Sequence, residues 1–105
     1  MRKLKEGENL IKEKWYLVKG KSFSKKPFRQ KRWIIEVLDV KIEGGRTSIV
    51  EEETYLGDET RKHNFQFSGK NEFLYENVLN EGAIFFELTP KEVEEWKLKM
   101  TESRI

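Results

Sequence analysis

Seven basic side chains, Lys19, Lys21, Lys25, Lys26, Arg29, Lys31 and Arg32, share a stretch that holds no carboxylate, and Phe23, Phe28 and Trp33 are interleaved with them. Lysine and arginine neutralise phosphates and release condensed counterions, and exposed rings stack on bases. Such a run is therefore equipped to grip a single-stranded or structured nucleic acid. The plainer use of the same residues is a solvated connection between two strands, with its cations turned toward the acidic run Glu51-Glu52-Glu53. Trp33, beside Ile34 and Ile35, belongs with a core rather than with a stacking platform. No RNP, KH, zinc-finger or helix-turn-helix pattern accompanies the run, so it carries affinity for anions without a signature of sequence preference.

Other chemistries are poorly supplied. The chain has no cysteine, which removes disulfides, thiolate metal sites, redox pairs and a cysteine nucleophile. Glu51-Glu52-Glu53 with Asp58 and Glu59 is the densest acidic group, but consecutive strand residues point to opposite faces, so three neighbours do not converge on a cation. They are expected to form a charged edge that discourages sheet-to-sheet pairing. His63 is the single histidine, with no Ser or Asp placed to complete a triad. Gly20-Lys21-Ser22 lacks the upstream glycine of a phosphate loop. No catalytic residue, metal ligand set or cofactor is assigned, and the expectation is a non-enzymatic binding domain. An acid-base enzyme survives only through carboxylate pairs that folding alone would bring together.

Charge is unevenly distributed. The formal net charge is +2, yet residues 1 to 33 carry twelve basic and three acidic side chains, net +9, and the remainder carry nine and sixteen, net −7. That separation favours an anionic partner for the first third, an acidic protein surface, or charge-driven self-association. The second functional expectation is accordingly a protein-interaction or assembly module, of the kind found among phage structural components and small inhibitors. Trp96 and Met100 are its candidate contact residues, with packing against the chain's own core as their plainer use. A single alanine among many Lys and Glu residues suits an AT-rich coding genome.

The 105 residues suit one domain, and the seven Phe, three Tyr and three Trp supply a real interior despite 38% charged residues and a mean hydropathy of −0.80. No apolar stretch is long enough for a secretory leader or a membrane span, so the expectation is a soluble, cytoplasmic protein with no membrane partner and nothing removed.

Residues 1 to 14, anchored only by Leu4, Leu10 and Ile11, read as a flexible arm or a short helical turn. Trp15 to Val18 reads as the first strand, and the basic run follows as a loop containing Pro27. Gly44-Gly45 between two β-rich runs predicts a two-residue hairpin, with Glu43 opposite Arg46, Ile42 opposite Thr47 and Val40 opposite Ile49. Extending that register puts Glu36 against Glu53 and reverses the apolar parity, which predicts a bulge near Val37. Phe65 and Phe67 mark another strand, Ser68-Gly69-Lys70-Asn71 a turn, and Phe73 to Glu76 a return strand; a short helix within Asn71 to Asn80, closed by Gly82, is the alternative. Ala83 to Leu88 reads as a buried strand. Thr89-Pro90-Lys91-Glu92 is a capping box that opens a helix running to about Thr101, with Val93, Trp96 and Met100 as its apolar stripe. The sum is a mainly β chain with one C-terminal helix: an arm (1–14), a five- to six-stranded antiparallel SH3-like or OB-like barrel (15–88) and the helix (89–102).

Overall fold

The computed structural model describes residues 1–21, 30–58 and 66–102. Among them six strands make one antiparallel sheet: β1 (Arg2–Lys3), β2 (Trp15–Lys21), β3 (Gln30–Glu43), β4 (Arg46–Asp58), β5 (Gln66–Leu74) and β6 (Ile84–Glu87). Helix α1 (Tyr75–Asn80) precedes β6, and helix α2 (Pro90–Glu102) follows it. The strand order is β1-β6-β2-β3-β4-β5. β1 and β5 are therefore the two edges, and the sheet is not closed.

The β3–β4 hairpin follows from its turn chemistry. Gly44 and Gly45 sit at φ 57° and 75°, the left-handed pair that a tight two-residue turn demands, and Glu43, Ile42 and Val40 face Arg46, Thr47 and Ile49. A bulge interrupts the ladder between Val37 and Asp39, leaving Leu38 without a partner. It lets Val37 and Val40, three residues apart, pack on the same side. It does not relieve the carboxylate opposition, because Glu36 now pairs with Glu52.

Each face of the sheet carries its own apolar layer. Tyr16, Val18, Ile35, Val37, Ile49 and Phe85 pack with Tyr75 and Val78 of α1, and Leu10 joins them. On the opposite face Leu17 and Ile34 pack with Leu88 and with Val93 of α2. Alternation along β2 and β3 accounts for this division, since neighbouring residues such as Ile34 and Ile35 go to opposite layers. The capping box of α2 forms as its sequence implies: Glu92 N–H donates to Thr89 Oγ1 at 3.2 Å, and Thr89 N–H donates to Glu92 Oε1 at 3.0 Å.

Two expectations are corrected. Gly69 (φ 88°) does not turn the chain; it lies in a bulge where Glu53 faces Gly69 and Thr54 faces Phe67, so β5 runs unbroken to Leu74. In place of the return strand, Tyr75 and Val78, three apart, bury one side of α1. Gly82 (φ 92°) ends that helix, with Gly82 N–H donating to Leu79 O and Ala83 N–H to Val78 O, the paired bonds of a Schellman closure. The first fourteen residues are neither arm nor helical turn. They clasp the sheet: Leu4 N–H donates to Phe85 O, Ile11 N–H to the Tyr16 hydroxyl, and the Tyr75 hydroxyl to Glu8 O at 2.8 Å, while Leu10 is buried.

Candidate functional site

The basic run begins and ends on paired strands. β2 and β3 stay in register through Lys19 with Arg32, Gly20 with Lys31, and Lys21 with Gln30. Phe23, Lys25, Lys26, Phe28 and Arg29 lie outside the described residues, and Lys21 and Lys31 are placed by their backbone register. Lys19 and Arg32 are cross-strand neighbours and share the α2 face with Leu17 and Ile34. Both are half-buried, and Lys19 Nζ lies 5.5 Å from the ring centroid of Phe86. Arg32 Nε is buried without a hydrogen-bond partner among the described residues. On β4, Asp58 stands opposite Lys31, whereas Gly57 stands opposite Arg32. Trp33 turns to the other face and packs against the α1 layer, which places it with the core.

The opposite pattern holds where the chain begins. Arg2 bonds both Glu8, at 2.6 Å, and Glu87, at 2.6 Å, and Lys14 reaches Glu87 at 2.7 Å. Lys14 and Arg2 together hold the Glu87 carboxyl below its ordinary range, and Arg2 takes Glu8 down to about 2.

Trp96 is half-buried against the α2-face layer, with Lys99 Nζ 4.7 Å from its ring centroid. It serves packing more than display. The Met100 side chain lies outside the described residues, as do His63 and Glu59.

The acidic run departs most from expectation. β4 lies between β3 and β5 rather than at an edge, and Glu51 is fully buried, at 0% exposure. Alternation puts Glu51 and Glu53 on the α1 face with Ile49, where Glu51 is flanked by Val37 on β3 and Asn71 on β5. Both carboxylate oxygens of Glu51 are buried, with the side chains of Glu53 and Asn71 as their polar neighbours. Burial first, then a hydrogen bond with Glu53 and after it the Glu53 charge, push its pKa up to about 9, with a hydrogen bond from Asn71 as the opposing influence. Glu51 is thus a neutral carboxylic acid at pH 7. Beside it a cavity of about 100 Å³ opens on the α1 face, lined by Val18, Trp33, Ile35, Phe73, Phe85 and Ala83 among others, with Glu53, Asn71 and Glu81 as its polar members. Three consecutive glutamates look solvated in a sequence; only the long-range pairing of β4 on both sides reveals that the first is interior.

No group of three or more acidic or histidine side chains suited to a metal ion occurs among the described residues, and none of their helices is long and apolar enough to cross a membrane. No protein-family model, curated protein or solved structure matches this chain.

Proposed function

We propose that this chain is a non-enzymatic binding domain that takes an anionic partner, nucleic acid foremost, on the basic β2–β3 hairpin and its connection. The observation that supports the reading is the register itself. Pairing runs out to Lys21 and Gln30, so the chain enters and leaves the connection 22–29, whose sequence holds three cations, at one point of the sheet next to Lys19 and Arg32. Those two described cations form no ion pair with a described carboxylate, unlike Arg2 and Lys14. A four-strand meander, one short helix and a strand returning beside β2 also support an SH3-like over an OB-like winding, with the gap between β1 and β5 left open. Small barrels of this kind commonly serve as binding platforms, but the cations carry the functional argument.

Fluorescence anisotropy with labelled single-stranded and hairpin oligonucleotides tests it. Four or five phosphate contacts give a log-log salt slope of roughly −3 to −4 on single strands. Joint reversal of Lys25, Lys26, Arg29 and Arg32 to glutamate abolishes binding; affinity that ignores the reversal removes the hairpin from the mechanism. A second reading, an assembly module, draws on the nine-residue β5, whose outer side is unpaired among the described residues. Light scattering separates the two, since assembly gives concentration-dependent oligomers that salt dissolves.

A further inference from the structure

β5 is the long edge of the sheet. Its nine residues, Gln66–Leu74, pair with β4 on one side, and its outer side carries no strand among the described residues; β1, the other edge, is two residues long. An edge of that length offers a row of backbone donors and acceptors to any strand that fits it. Lys70, Asn71 and Glu72, near its middle, are exposed. The bulge at Gly69 and the lysine beside it are devices that discourage chance pairing, so a partner must complement them.

A second copy of the chain does so. Two β5 strands meet antiparallel about a two-fold axis normal to the sheet, and because side chains alternate, residues that face each other across the axis are separated by an even number of positions. Lys70, Asn71 or Glu72 can stand on that axis. With Lys70 or Glu72 there, like charges oppose each other directly. With Asn71 there, Lys70 of each chain faces Glu72 of the other, twice over by symmetry, and Phe73 falls opposite Gly69, where a ring meets a residue without a side chain. The same register sets each Lys70 between Glu52, its cross-strand neighbour on its own β4, and Glu72 of the second copy. Ser48 Oγ donates to Glu72 Oε1 at 2.5 Å, which steadies that carboxylate at the edge.

We propose that two copies of this chain dimerise through β5, antiparallel and centred on Asn71, into one continuous sheet. Resting on the assembly reading of this domain, the dimer gives it a surface and a register. The contact is isologous and closes at two copies, so it makes a discrete dimer rather than a growing filament.

The experiment is sedimentation equilibrium of the full chain from low to high micromolar concentration, where a monomer–dimer equilibrium with nothing larger is expected. Lys70→Glu and Glu72→Lys, both at exposed positions, are each expected to weaken dimerisation at least about tenfold, since each makes both charged rungs repulsive. Mixing the two variants restores it, because every facing pair is again opposite in charge; a folding lesion in either variant is not cured by mixing. The chain has no cysteine, so single-cysteine variants report the register without background. Asn71→Cys is expected to oxidise to a disulfide-linked dimer, its facing Cα atoms roughly 4.5–5.5 Å apart, whereas Lys70→Cys, offset from its own copy by two residues, lies too far away to bridge. A chain that stays monomeric at every concentration overturns the dimer and the assembly reading together. Dimers that survive Lys70→Glu, that mixing fails to restore, or that cross-link through Lys70→Cys but not Asn71→Cys overturn the β5 register alone and leave assembly through another surface standing.

Discussion

Glu51 and Glu87 are both strand glutamates, and the sheet treats them oppositely. Glu87 ends β6 between Arg2 and Lys14, stays ionised and is held below its ordinary range. Glu51 sits in the fourth strand, fully buried, and keeps its proton to about pH 9. Residue type is the same; what differs is whether the neighbouring strands supply cations or apolar bulk. The clasp thus contributes charge pairing, screened and modest, and the α1 face contributes dry packing.

The two regions predict opposite pH slopes, and the largest effect belongs to Glu51. The unfolded chain releases that proton near 4.5, whereas the folded chain holds it to about 9. Stability therefore falls as pH climbs through that window, by at most about 1.4 kcal/mol per pH unit. Urea unfolding at pH 5, 7 and 9 is expected to show the decline, and Glu51→Gln to flatten it. Next in size is packing: Ile49→Ala, at a position with 0% exposure, is expected to cost about 2–5 kcal/mol in the same assay. The smallest effect is on the clasp. Glu8 and Glu87 have folded pKa values below the unfolded value, so their contribution is present above pH 4.5 and is lost as pH falls through the folded values. Arg2→Ala is expected to lower the melting temperature at pH 7 less than Ile49→Ala does, and roughly 0.5 M salt to remove most of that difference. A clasp variant more damaging than the core variant would reverse the comparison.

What could be read in advance divides along a physical line. Gly44-Gly45 and Thr89-Pro90-Lys91-Glu92 act through bonds closed within four residues, so the hairpin and α2 were legible to within a residue or two. The parity change around Val37 announced the bulge because the glycine turn had already fixed the register of the strands it joins. Signals that depend on distant partners failed. Gly69 has the look of a turn residue, yet β4 alongside holds it in a strand. Leu4 and Leu10 are too sparse for a periodic pattern, and they find their places only because β6, Tyr16 and Tyr75 offer hydrogen bonds to the irregular backbone around them. Of the candidate contact residues, Lys19 and Arg32 face each other because β2 and β3 pair out to Lys21 and Gln30, into a run whose sequence reads wholly as a loop. The burial of Glu51 went unseen because no local pattern reveals that a strand has neighbours on both sides.

β3 is common to both layers: Ile34 packs beneath α2 and Ile35 beneath α1, and the same strand continues into Lys31 and Arg32. A pull along β3 therefore acts lengthwise on a beam bonded along both flanks, so it must shear many rungs together instead of peeling them one after another, and the load passes to both interiors.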